Sequence, residues 1–208
     1  DSISPILWMS VMQSEDGAFF YHNGFLPDAM REALIYDLQV KRFARGGSTI
    51  TMQLVKNVFL NRNKNFARKL EESMIVWLIE TSRLTSKSRM YEVYLNIAEW
   101  GPRVYGIQEA SAFYFNKRPS QLNTEESIFL ASIIPKPKRF RSSFTENGEL
   151  KDNMEGYYKL IARRLQKKGL IDETEADSIR PHIHVTGRAG NDLSGQIQKT
   201  DSVGSVPE

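Results

Sequence analysis

Apolar residues in this chain recur at three- and four-residue intervals almost from end to end, and nowhere do they alternate with polar ones over a stretch long enough to build a sheet. That period dictates a mainly α architecture with no internal repeat. Ile6 to Gln13, entered through Pro5, carries Ile6, Leu7, Met9 and Val11. Asp28 to Leu38, entered through Pro27, repeats Met30, Ala33, Leu34 and Leu38. Both read as core-packing helices. The longest helix is expected from near Asn65 to about Leu84, with Phe66, Leu70, Met74, Trp77, Leu78 and Thr81 on one stripe, which marks it as the central helix. Helices over Ser86–Ala98, Tyr105–Phe115 and Thr124–Ile134 follow, the last opened by the capping box Asn123-Thr-Glu-Glu126 and stopped by Pro135. A helix from about Leu150 to Lys168 stops at Gly169, and Asp172–Ile179 adds a short one. The Gly, Ser, Asn and Gln content beyond Gly187 predicts a disordered tail or linker over residues 181–208.

The 208 residues suffice for one well-cored domain with a small lobe, and the chain lacks cysteine, which excludes thiol nucleophiles, Cys-based zinc sites and disulfides. Its longest unbroken apolar run, Met74 to Ile79, falls far short of the roughly 20 residues of a membrane span, and its start has no signal-peptide pattern, so any anchor is expected outside this chain. The net charge of +3 hides a sorting of charges. Lys41, Arg42, Arg45, Lys56, Arg62, Lys64, Arg68 and Lys69 stand together with no acidic residue among them, leaving 20 basic against 25 acidic residues elsewhere. Such a block suits an anion: nucleic acid, an anionic membrane surface, a discrete phosphate, or only solvent.

Inside that block lies Arg45-Gly-Gly-Ser-Thr-Ile-Thr-Met-Gln-Leu-Val-Lys-Asn57. If Thr49 caps a helix running to about Phe59, then Ile50, Leu54 and Val58 form an apolar row, while Gln53, Lys56 and Asn57 meet on another face. Gly46 and Gly47 let the backbone pass close to a ligand, hydroxyls stand at the helix entrance, and Lys56 adds a charge. Alone, this pattern is better explained by a loop and an N-cap.

Three further segments carry chemistry. Glu15 and Asp16 end the first helix beside aromatic residues, where a carboxylate can be partly desolvated and its pKa raised toward that of a general base. Arg68 and Glu72 share a face of the long helix. Glu92 and Asn96 stand at i, i+4, with Lys87 five residues before Glu92. His22 reads as a brace for the Glu15 loop. His182 and His184 lack a third metal ligand, and Lys136 to Arg141 is either a solvated loop or a contact for anionic glycopeptide or lipid head groups.

The blocks Glu15-Asp-x-x-Phe19-x-x-His22-x-Gly24, Gly47-Ser-Thr-Ile-Thr-x-Gln53-Leu-x-Lys56-Asn57, Arg68-Lys69-x-x-Glu72 and Lys87-x-x-x-x-Glu92-x-Tyr94-Leu-Asn96 resemble, in order and spacing, the signature motifs of the peptidoglycan glycosyltransferases, glycosyltransferase family 51. The resemblance runs from about Ser4 to Ile179. It implies a lysozyme-like, mainly α glycosyltransferase domain over residues 1–180. That domain would have a large lobe and a small mobile jaw, about residues 41–65, against the membrane.

The implied activity is polymerisation of lipid II into β-1,4 glycan strands with inversion and release of undecaprenyl pyrophosphate, at the periplasmic or extracellular face of the bacterial cytoplasmic membrane. Glu15 would take the proton from the attacking 4-hydroxyl. Lys56, Lys64, Arg68 and Lys69 would neutralise the pyrophosphate, and Ser48, Thr49 and Gln53 would position it. Glu72 is a second catalytic carboxylate that would order the cations or hold a divalent cation, Mg2+ or Mn2+, though no cofactor is required and no protein metal site is expected. Asp16, His22, Asn57, Glu92 and Asn96 would support the site. The implied partners are lipid II, the growing glycan strand, the membrane surface and phosphoglycolipid inhibitors of the moenomycin type, with no role for nucleic acid.

Three departures from the family pattern stand out. Lys64 replaces a frequent arginine, exchanging a bidentate fork for a point charge. Arg163-Arg164 is followed by Leu165-Gln-Lys-Lys rather than Val-Leu, and no Ser-x-x-Lys acylation motif occurs. Two other classes compete: a lytic, lysozyme-like muramidase, which has no use for eight clustered cations, and a non-catalytic lipid II or anion-binding module, which has no use for Glu15 in its aromatic setting.

Overall fold

The computed structural model describes residues 3–28, 31, 47–59 and 66–193, so most of the helix expected over Asp28–Leu38, Lys64 and the ends of the 41–65 region lie outside the described residues. In chain order the elements are α1 (Pro5–Glu15), α2 (Ile50–Phe59), α3 (Phe66–Thr81), α4 (Lys87–Ile97), β1 (Glu99–Gly101), β2 (Val104–Tyr105), α5 (Ile107–Phe115), α6 (Thr124–Ile133), α7 (Glu155–Lys167) and α8 (Glu173–Ser178), joined by short 3-10 turns. The fold is mainly α, consistent with the lysozyme-like class. The antiparallel ribbon of β1 and β2, with Glu99 opposite Tyr105, was not expected. Strands of three and two residues are too short to show alternation in sequence.

Contacts divide the chain into two compact units, one made of residues 15–97 and one of the residues on either side. In the flanking unit an aromatic cluster fills the core: the Tyr114 ring meets Phe113, Phe129 and Phe140 edge-on at 4.8, 5.4 and 5.3 Å. The Tyr114 hydroxyl donates to the Trp100 carbonyl at 2.7 Å, tying α5 to β1. The predicted capping box opens α6. Asn123 Oδ1 accepts the Glu126 N–H at 2.8 Å and Glu126 Oε2 accepts the Asn123 N–H at 3.0 Å. The end of α1 is held by α7, where Arg164 donates to the Gln13 carbonyl and the Tyr157 hydroxyl to Ser14 Oγ at 2.8 Å.

Composition misleads at the C-terminal side. Residues 181–193, expected to belong to a disordered tail, pack against α5: Thr186 Oγ1 donates to the Phe115 carbonyl at 2.6 Å and the Gly187 N–H to Tyr114 O at 2.9 Å. Ala189 is wholly buried. A side chain at Gly187 would collide with the Phe113 carbonyl, so this glycine permits close backbone approach rather than a flexible linker.

In the unit of residues 15–97, α2 packs against α3 and α4 through Met52, Val55 and Val76, flanked by Phe25, Ile75 and Ile79. Here the sequence reading of α3 is overturned. The stripe that marked it as the central helix faces outward, with Leu70, Met74, Trp77 and Leu78 exposed by 54, 68, 61 and 50%. Glu72, Val76 and Glu80 are buried instead. Periodicity fixes the axis of an amphipathic helix but not which side is covered, and the buried acids here have partners. Glu80 Oε1 accepts from Thr51 Oγ1 of α2 and Lys87 Nζ of α4, both at 2.6 Å, so one carboxylate joins three helices. Gly24 lies against the same face with φ +83°; a Cβ there would come within 2.6 Å of Val76.

Candidate active site

The site grows from the end of α1. Asp16, buried, follows Glu15 directly, and both its oxygens lie 3.0 Å from His22 Nε2. Asp16 Oδ2 also accepts the N–H of Ile50, the first residue of α2, at 3.0 Å. A buried carboxylate therefore already neutralises the positive end of this helix. Thr49 completes the cap: its hydroxyl accepts the Met52 N–H at 3.2 Å and donates to the Gly24 carbonyl at 2.6 Å. The predicted N-cap is thus in place. Its expected second use is not, because the Thr49 hydroxyl is buried and engaged, and an anion at the helix entrance would meet Asp16. Ser48 is exposed beside it.

One turn along α2 the chemistry changes. Gln53 Nε2 donates to Glu15 Oε2 at 2.8 Å, while its carbonyl accepts from the Tyr94 hydroxyl of α4 at 3.2 Å. The side chain expected to position a pyrophosphate is therefore the partner of the carboxylate. Burial is the largest influence on Glu15 and pushes its pKa up from the usual 4.5; Asp16 adds to the rise, while the Gln53 hydrogen bond and the charge of Lys56 oppose it. Lys56 and Asn57 are exposed on α2. Glu15, Asp16, His22, Gln53 and Lys56 thus belong to one neighbourhood.

The other predicted residues have contacts of their own. On α3, buried Glu72 pairs with Lys69 Nζ at 2.5 Å, and the side chain of Arg68 lies outside the described part. Among the described residues no three acidic, imidazole or thiol groups gather where they could hold a metal ion. Glu92 and Asn96 are exposed and look to their own helix: Glu92 pairs with Arg89 at 2.8 Å, and Asn96 donates to the Glu92 carbonyl at 2.8 Å. Their i, i+4 spacing is a surface pairing. In the flanking unit, Lys138 and Arg141 of the basic segment reach Glu99 at 3.8 Å and Asp192 at 3.3 Å, and the rings of His182 and His184 meet edge-on at 4.8 Å.

Sequence reasoning missed Thr51 and Glu80 and gave Tyr94 no role. Glu80 ends an apolar run, where a carboxylate reads as a surface residue, and Tyr94 is indistinguishable from a core aromatic until its hydroxyl is placed.

A family model described as Transglycosylase matches residues 1–166. Proteins named biosynthetic peptidoglycan transglycosylase are similar in sequence. One from Paraburkholderia xenovorans is 42% identical over 140 residues, 67% of this chain and 58% of the relative. Another from Cupriavidus metallidurans is 38% identical over 173 residues, 83% of this chain and 72% of the relative. A third, from Acinetobacter baumannii, is 37% identical over 141 residues, 68% and 62% of the two chains. The matched part of this chain thus spans less than two thirds of the length of the first and third of these relatives.

Proposed function

The chain belongs to the transglycosylase family, and from that premise we propose that it polymerises lipid II into β-1,4 glycan strands with inversion and release of undecaprenyl pyrophosphate. The observation that carries this reading is Glu15. It is a single carboxylate with a raised pKa, aimed at by an amide donor and influenced by the exposed cation Lys56. As the 4-hydroxyl oxygen of one lipid II attacks C1 of the sugar at the lipid end of the growing strand, Glu15 takes the hydroxyl proton. The C1–O bond breaks and its electron pair leaves with the pyrophosphate. A pyrophosphate leaves without protonation if cations stabilise it, and Lys56 and Lys69, with Lys64 and Arg68, supply them. Glu72 orders Lys69.

A lytic muramidase needs a second working carboxylate. Asp16 is committed to His22 and Ile50, and Glu72 to Lys69, so neither supports that reading. Incubation with lipid II alone, and in a separate reaction with preformed glycan alone, tests all three classes. Polymer is the expected product; fragments of added preformed glycan would instead indicate a lytic enzyme, and retention without turnover a binding module.

Lipid II is confined to a bilayer, so the same reading places the protein on the outer face of the bacterial cytoplasmic membrane. Among the described residues no helix is long and apolar enough to cross a membrane. The outward stripe of Leu70, Met74, Trp77 and Leu78 supports a surface seat, with Trp77 at head-group depth. Met74→Ser and Trp77→Ser should each weaken binding to anionic phospholipid vesicles roughly tenfold, from the apolar area withdrawn. Unchanged partitioning in a sedimentation assay would remove the stripe from this role.

A further inference from the structure

We propose that Tyr94 is a positioning residue for Glu15, holding the Gln53 amide with its nitrogen toward the carboxylate; the inference rests on reading Glu15 as the base. Gln53 has two ends, and only one can face Glu15. With the nitrogen inward, the amide donates at 2.8 Å and favours an ionised carboxylate. With the oxygen inward, it would repel that carboxylate and accept from its protonated form. Nothing in the Gln53 side chain itself decides between them.

The decision comes from α4. Tyr94 is wholly buried and stacks on Tyr91 at 6.2 Å with 14° between the rings, and its hydroxyl lies 3.2 Å from Gln53 Oε1. Burial, followed by the charges of Glu15 and Asp16, drives the Tyr94 pKa far above its usual value, so the hydroxyl keeps its proton and donates it. An amide oxygen accepts that bond and an amide nitrogen cannot, which locks Gln53 in the orientation that serves Glu15. The titratable and charged groups that act on Glu15 among the described residues are Lys56 from α2, Asp16 from its own segment and Tyr94 from α4. Tyr94 therefore acts through Gln53, as a hydroxyl that never titrates, to keep its neighbour ready to take a proton.

The test reads Glu15 directly, by 13C NMR titration of the glutamate carboxyls in the full chain, with its signal identified by its loss in Glu15→Gln. Tyr94→Phe keeps the ring and its stacking but removes the donor. The Glu15 midpoint should rise by about one pH unit, as expected when one hydrogen bond favouring the charged form is lost. The acid limb of kcat for lipid II polymerisation should move with it. Gln53→Met should raise the midpoint as well, and adding Tyr94→Phe to Gln53→Met should move it no further. An unchanged midpoint in a folded Tyr94→Phe chain overturns the proposal. So does a uniform loss of kcat with the acid limb in place, or a further shift in the double variant. Should Tyr94→Phe fail to fold, Tyr94→Met, which also lacks the donor, takes its place: a raised midpoint supports the relay and an unchanged one overturns it. A wild-type chain that titrates as described yet makes no polymer from lipid II overturns the proposed function and leaves the relay standing.

Discussion

Replacing Glu15 by glutamine is expected to lower glycan polymerisation by about 10²- to 10⁴-fold, the usual cost of losing a general base. Retention of lipid II should be unaffected. Glutamine keeps the size of the side chain and an oxygen to accept from Gln53, so packing is preserved and only the proton acceptor is lost. The pH profile of the wild-type chain carries the matching signature: because Glu15 must be ionised to act and its pKa is raised, activity should fall on acidification at a pH above the usual 4.5. Stability moves the other way. A carboxyl whose folded pKa exceeds its unfolded one contributes most when protonated, below the unfolded value, and that contribution is lost as pH rises through the folded one. At neutral pH the ionised Glu15 therefore costs stability, and Glu15→Gln should unfold at a slightly higher temperature than the wild type. Near wild-type polymerisation in this variant, measured with lipid II as the only glycan, would sink the mechanism.

The largest effect on folding should come from Lys87→Met. Lys87 Nζ lies 2.6 Å from Glu80 Oε1 and 4.4 Å from the centre of the Phe19 ring, and the Glu80 side chain is only 4% exposed. Methionine fills the space of the lysine stem but leaves a buried carboxylate without its paired cation. Breaking such a pair from one side costs about 3–5 kcal/mol, and the partial exposure of Lys87 places this case near the lower figure. Urea unfolding should show it. Adding Glu80→Gln should recover much of the loss, because the neutral amide can still accept from Thr51 and no longer needs a counter-charge. A loss under about 1 kcal/mol in Lys87→Met would mean that the three helices are held by apolar packing alone.

Much of the helical framework was legible because its signals are local. Pro5 opens α1, the Asn123–Glu126 box opens α6, and Gly169, at φ +71°, follows the end of α7. The desolvation of Glu15, which raises its pKa, was legible from chain position and aromatic company. Two things were not. The covered side of α3 depends on what Glu72 and Glu80 meet, and those partners, Thr51 and Lys87 for Glu80, lie 29 and 7 residues away. The use of polar groups at the start of α2 depends on Asp16, 34 residues before Ile50, which takes the N–H that a helix entrance would otherwise offer a phosphate. Where two groups compete for one donor, the spacing along one segment cannot say which one wins.

The inverted helix α3 also reverses the freedom of its positions to drift. On an ordinary surface helix the outward residues vary at will and the inward ones are bound by volume. Here Leu70, Met74, Trp77 and Leu78 are each at least half exposed, so any of them can exchange for another apolar residue of different size. Glu80 cannot be exchanged for a hydrocarbon without stranding Thr51 and Lys87, and Glu72 is the buried partner of Lys69. In this helix the acids are the anchored letters and the hydrophobes are the free ones.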